Sequence, residues 1–173
     1  MRAQPATLAV CALHAVAAVL FVVRRPVEAT PAPGDVVRAL PSVALGALAL
    51  ALAAQVPVWP PGAVVMLALG ASVSIVSLAW LGRSFAVLPT GGVRALVTGG
   101  PYALVRHPAY AGELLMIWGC AAAVWTVAAA VVGVLATAAL VVRVQAEERR
   151  LGESEEYRVY ARAVRWRWVP GVW

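Results

Sequence analysis

Residues 109–142 read AYAGELLMIWGCAAAVWTVAAAVVGVLATAALVV. Within these 34 residues Glu113 is the only charged side chain. A straight helix of that length would reach about 51 Å at about 1.5 Å per residue, against about 30 Å of hydrocarbon in a bilayer. The stretch is therefore expected to fold back on itself as a hairpin of two helices, 109–124 and 127–142, turning at Val124-Trp125-Thr126.

Moving outward, three more apolar runs cover 5–23, 40–58 and 62–81, each 19 or 20 residues long and long enough to cross a bilayer. The chain has 173 residues, of which 62% are hydrophobic and 13% charged, too apolar for a soluble domain of this size. The expected fold is all-α: an integral membrane helical bundle in one domain, 1–173. It has five transmembrane helices, the last two forming the hairpin, plus a cytoplasmic C-terminal helix.

The arginines order these spans. Every basic residue is Arg, and the net charge is +6. Arg24, Arg25 and Arg38 lie between the first two runs, and Arg83, Arg94 and Arg106 between the third and fourth. Arg143, Arg149, Arg150, Arg158, Arg162, Arg165 and Arg167 follow the fifth. Five spans put all of these on one face and only Arg2 on the other. The positive-inside rule then sets the N-terminus outside and the C-terminus in the cytoplasm. Trp59 and Trp125 fall at the outer turns and Trp80 at an inner end, as an aromatic belt would have them. The N-terminal run reads as a retained span rather than a cleaved signal, because Arg24 and Arg25 follow it without a convincing cleavage site.

Other functional classes find little support. An arginine-only basic balance inside so apolar a chain points to a membrane surface rather than to nucleic acid. Cys11 and Cys120 stand singly in apolar runs, and no Cys/His spacing suggests a metal. His14 reads as a packed residue of the first span.

Two polar segments remain, 82–112 and 143–173. The first contains Arg106-His107-Pro108-x-Tyr110-x-Gly112. The second contains Glu147-Glu148-x-x-Leu151, Tyr157-x-x-Tyr160 and Arg167-x-x-Pro170. In this order, around a hairpin and before a basic tail, these residues resemble the isoprenylcysteine carboxyl methyltransferase family, to which membrane phospholipid N-methyltransferases are related. Leu81-Gly82-Arg83-Ser84-Phe85 resembles the family's entry to this region, and the likeness covers about 81–173.

The resemblance implies S-adenosylmethionine as cofactor, S-adenosylhomocysteine as product, and a cofactor-binding half at 82–173 built without a Rossmann sheet. It implies a lipophilic acceptor reached from the bilayer, an isoprenylcysteine-like or isoprenoid carboxylate first. A phospholipid or other lipid amine is the alternative. On this reading Tyr102, Arg106, His107, Pro108, Tyr110, Gly112, Glu147, Glu148, Leu151, Tyr157 and Tyr160 form the cofactor site. A guanidinium such as Arg106 clamps a carboxylate, tyrosine rings face adenine or a sulfonium, and glutamates accept from a ribose diol or an ammonium. Arg167 and Glu147 are the catalytic candidates: a carboxylate acceptor needs a cation to orient it, and an amine needs a base. Glu113, Arg165 and Arg167 are candidates for substrate binding, and whether Arg165 or Arg167 faces the substrate stays open.

Plainer readings stand beside these. Arg143 and Glu147, spaced i,i+4, suit a solvated helix pair. Arg106 suits a positive-inside anchor, His107-Pro108 a helix start, and Tyr157 and Tyr160 interfacial packing. Glu113, just inside an apolar run, is expected to be held by a helix N-terminus or by Arg106. Two further alternatives are an NADPH-dependent enone or sterol-type reductase, which shares a similar Arg-His-Pro loop, and a non-catalytic membrane scaffold.

Overall fold

Proline opens three of the helices in the computed structural model, which describes residues 33–82 and 96–173. Helix α1 is Pro33–Ala54 and α2 is Pro61–Leu81; a 3-10 turn, Gly100–Ala103, leads into α3, Pro108–Val124. Then come α4, Val127–Leu151, and α5, Glu155–Ala163. Proline suits the first turn because the N–H it lacks would have no helical partner there. Two other starts are capped by side chains: Thr126 Oγ1 accepts from Ala129 N at 3.2 Å, and Ser154 Oγ accepts from Tyr157 N at 3.1 Å. Among the described residues there is no β-strand.

Three helices are long and apolar enough to cross a membrane: Val37–Ala54 within α1, α2 and α4. The fourth apolar helix, α3, has 17 residues. Val43, Leu48, Val65, Leu69, Val131 and Leu135 project outward from α1, α2 and α4. In water such a surface would be unfavourable; against lipid it is the expected one. The chain is an integral membrane protein.

Several expectations need correction. The run placed at 40–58 is a helix from Pro33 to Ala54, starting seven residues earlier, with Pro33-Gly34-Asp35 in its first turn, and ending four residues sooner. Pro41 sits inside it, and nearby Ser42 Oγ donates to Ala39 O at 2.9 Å. The helix placed at 127–142 continues to Leu151, because the good helix formers of 143–151 extend it until Gly152. At about 1.5 Å per residue α4 is about 37 Å long, so its charged last turns reach past the hydrocarbon. Trp59 is no interfacial anchor: it is 7% exposed and donates from its ring nitrogen to Ala53 O at 3.1 Å. The expected first span, 5–23, with Cys11 and His14, lies outside the described residues, as do Arg83, Ser84, Phe85 and Arg94.

Between α3 and α4 the chain reverses at Trp125, the only described non-glycine residue with positive φ (51°). It hands its N–H to Ala121 O at 2.9 Å and leaves its indole 85% exposed. Successive reversals make neighbouring helices antiparallel. The start of α1, the end of α2, the start of α3 and the end of α4 thus share one end of the bundle.

The tightest crossing is α2 on α3. Gly70 and Gly112 face each other, and a Cβ on Gly112 would collide with Ser74 Oγ and the Gly70 carbonyl. Small residues let two membrane helices approach until backbone meets backbone. Ser74 Oγ donates to Ala109 O at 3.1 Å across this contact. Gly112→Ala is expected to cost about 1–3 kcal/mol through overpacking. Gly62→Ala, where a Cβ meets nothing within 4 Å, should leave the melting temperature in detergent unchanged.

Candidate active site

Helix α3 is entered through the 3-10 turn. Gly100, at φ 59°, lies so close under the Trp80 indole that a Cβ would strike the ring. The turn buries Tyr102, whose hydroxyl donates to Ser77 O of α2 at 3.4 Å. Its carbonyl accepts from Tyr160 of α5 at 2.6 Å. Next, Arg106 N donates to Trp166 O at 2.9 Å and His107 N to Arg167 O at 2.8 Å. This short pairing fastens the tail onto the entry of α3. The tail then bends back, Arg167 N and Trp168 N both donating to Trp173 O at 2.8 and 3.2 Å.

Four side chains converge on Glu148, in the last turn of α4. His107 Nε2 lies 2.7 Å from Oε1, and Tyr157 donates its hydroxyl to the same oxygen at 2.5 Å. Arg106 Nη2 and Arg167 Nε lie 3.3 and 3.4 Å from Oε2. Arg106 and His107 come from the entry of α3, Tyr157 from α5 and Arg167 from the tail. The Arg167 guanidinium lies 4.8 Å over the Trp173 ring. Donors outnumber acceptors here. Arg106 Nε is buried without a hydrogen-bond partner, and Arg167 Nε meets Glu148 as an ion pair rather than a hydrogen bond, a surplus that suits one more anionic group.

Glu147 points to a second group. Tyr110 donates its hydroxyl to Glu147 Oε2 at 2.9 Å, and its ring stacks on His107 at 5.8 Å between centroids. The Arg143 guanidinium also lies over that ring, 4.9 Å from the centroid. Arg143 also donates to Ser42 Oγ of α1 at 3.4 Å.

Nine sequence candidates thus fall into one connected network: Tyr102, Arg106, His107, Tyr110, Glu147, Glu148, Tyr157, Tyr160 and Arg167. Pro108 supports it as the first residue of α3, with His107 at the cap outside the helical conformation (φ −129°, ψ 60°). Gly112 serves the α2–α3 crossing instead. Leu151 is the half-buried last residue of α4. Arg165 is exposed, and of the two tail arginines Arg167 is the one at Glu148. The charge acting on Glu113 is that of Arg143, not Arg106. Arg143 itself was missed as a site residue: i,i+4 from Glu147, it read as a surface pair, yet it is 9% exposed. Its position on the Leu140–Val144 face, with both of those neighbours buried, was the available signal.

A family model for phospholipid methyltransferases matches residues 61–154, more than half of the chain. The chain belongs to the phospholipid methyltransferase family. Members are integral membrane methyltransferases that use S-adenosylmethionine. The matched span runs from α2 through the end of α4 and includes Arg106, His107, Glu147 and Glu148. Membership in a methyltransferase family leaves the reductase alternative without support. No curated protein matches this family member.

Burial raises the phenol of Tyr157 above its ordinary range, and its hydrogen bond to Glu148 raises it further. Burial also raises Tyr102, with a smaller contribution from Glu147. The Tyr160 phenol is pushed up to about 12, mainly by burial, with Arg106 pulling the other way. The neutral phenol is thus favoured in the folded state. Unfolded tyrosines ionise near pH about 10. The stability Tyr160 contributes is present below that pH and lost as pH rises through about 12, and that of Tyr102 and Tyr157 is lost over a range reaching higher still. In an alkaline titration followed by tyrosinate absorbance, at most one of the four tyrosines should ionise in the folded protein near pH about 10. The remainder should ionise together with unfolding.

Proposed function

We propose that this protein is a membrane methyltransferase that carries the methyl group of S-adenosylmethionine to a lipophilic acceptor. The observation that carries this reading is the convergence of Arg106, His107, Tyr157 and Arg167 on Glu148, with buried donors left over. Such a site suits a ligand bearing both a carboxylate and cationic or hydroxyl groups. Arg106 and Arg167 would hold the cofactor's carboxylate, while Glu148 would accept from its ammonium or ribose. Tyr102, Tyr157 and Tyr160 would supply ring faces. When bound, the cofactor supplies an activated methyl group on a sulfonium. The residues' own work is alignment and exclusion of water, which account for most of the rate in an in-line displacement.

The acceptor has two readings. The Arg-His-Pro resemblance favours the carboxylate of an isoprenylcysteine-like or isoprenoid compound, oriented by Arg167; such an acceptor needs no base. The family match favours a phospholipid amine, which must lose a proton, and Glu147 is the carboxylate available to take it. Both fit a five-span layout with the site at the cytoplasmic face, where the arginines gather.

Calorimetry with S-adenosylhomocysteine on the purified protein in detergent tests the reading. The native protein should bind, and the Arg106→Ala/His107→Ala double variant should lose at least about tenfold in affinity, as expected for removing charge-assisted hydrogen bonds. A folded native protein that does not bind would refute the cofactor assignment. Binding without transfer of labelled methyl to any lipid extract would favour the scaffold alternative.

A further inference from the structure

Glu147 and Glu148 are adjacent in sequence and face different partners. Glu148 meets the cations and the phenol contributed by the α3 entry, α5 and the tail. Glu147 meets Tyr110, and Tyr110 carries Arg143 over its ring. Arg143 is the residue whose presence needs explaining. It is 9% exposed on an apolar helix, and Leu140 and Val144 beside it are fully buried. Burying a guanidinium there is costly, and an apolar side chain of similar volume would pack at lower cost. Packing alone therefore does not account for it.

Its surroundings come from three helices. Ser42 of α1, itself fully buried, receives its N–H. Tyr110 and Glu113 belong to α3 and Glu147 to α4, and all three act on it electrostatically. Arg143 thus ties α1, the helix most remote from the Glu148 cluster in sequence, to the Tyr110–Glu147 pair. The donor-rich Glu148 side suits a cofactor carboxylate. The Glu147 side holds two carboxylates against one arginine and is walled by α1 and α3. The outer face of α1 carries Val37, Leu40, Val43 and Leu48 toward lipid, the direction from which a lipophilic acceptor arrives.

We infer that Arg143 is a positioning residue for the acceptor side of the site: held between Ser42 and Tyr110, it fixes Tyr110 on Glu147 and so sets where the acceptor's reacting group lies. This rests on the methyltransferase reading above. Arg143 bears on Ser42 and the Tyr110–Glu147 pair, whereas Arg106, His107, Tyr157 and Arg167 gather on Glu148, so its loss reaches the acceptor ahead of the cofactor.

The test uses the full chain in lipid nanodiscs with two acceptor probes, dioleoylphosphatidylethanolamine and N-acetyl-S-farnesylcysteine. Labelled S-adenosylmethionine is held at saturation while each probe is titrated. Arg143→Met is expected to lower kcat/KM for the methylated probe about a hundredfold, the scale of a misaligned reactant. Affinity for S-adenosylhomocysteine should stay within about threefold of the native value. Arg143→Lys, which keeps the charge without the planar fork, should fall between the two. Ser42→Ala should raise the acceptor KM with cofactor affinity unchanged. It and Arg143→Lys carry the comparison should Arg143→Met fail to fold. Equal losses of cofactor binding and transfer would overturn the inference in favour of a structural role, and so would unchanged acceptor kinetics. A native protein that binds S-adenosylhomocysteine but methylates neither probe would also overturn it. A native protein that does not bind S-adenosylhomocysteine overturns the methyltransferase reading itself.

Discussion

Charge near a bilayer has to be answered by charge, and in this protein the answer is concentrated on the Glu148 carboxylate. His107, Tyr157, Arg106 and Arg167 reach it from three separate segments. Each of those segments is short, and the tail also packs Trp168 against Ile117, Leu140 and Val144. Their common attachment to α4 gives the entry of α3, helix α5 and the tail a fixed relation to the bundle. Removing one partner would leave buried charge uncompensated, which costs more than the contact itself contributes.

The bundle supplies the frame for that attachment. Gly70 and Gly112 bring α2 and α3 to backbone contact, and the extra length of α4 carries Glu147 and Glu148 beyond the hydrocarbon. Because every helix reverses at its end, the polar groups of α1, α3 and α4 meet at the same end of the bundle as the tail. The Arg106–Trp166 and His107–Arg167 backbone bonds then close the site without a sheet. This geometry suits a cofactor held at the membrane surface and an acceptor supplied from within the membrane.

Much of this was legible in the chain. The hairpin follows from the excess length of 109–142, and the helix starts follow from Pro61 and Pro108. The site motifs Arg106-His107-Pro108 and Glu147-Glu148 stand out because charge and proline are rare in the surrounding sequence. The less legible parts involve side chains whose roles depend on a distant partner. Trp59 looks like an interfacial anchor until α1 offers it the Ala53 carbonyl. Gly112 looks like part of a binding motif until α2 lies against it. Arg143 looks like a surface ion until α1 places Ser42 beside it.

By itself the sequence determined the class of the protein: apolar runs of bilayer length leave a membrane helical bundle as the way to satisfy the backbone, and most of the arginine and glutamate falls between or after those runs. Tertiary structure alone decided how those charges pair. Glu147 and Glu148 are one residue apart, about 100° around the helix, so they must face different neighbours. Which neighbours they meet depends on where α1, α3 and the tail come to rest, and local sequence carries no record of that. The same holds for the choice of Arg167 over Arg165, made by the backbone bonds that pin the tail to His107.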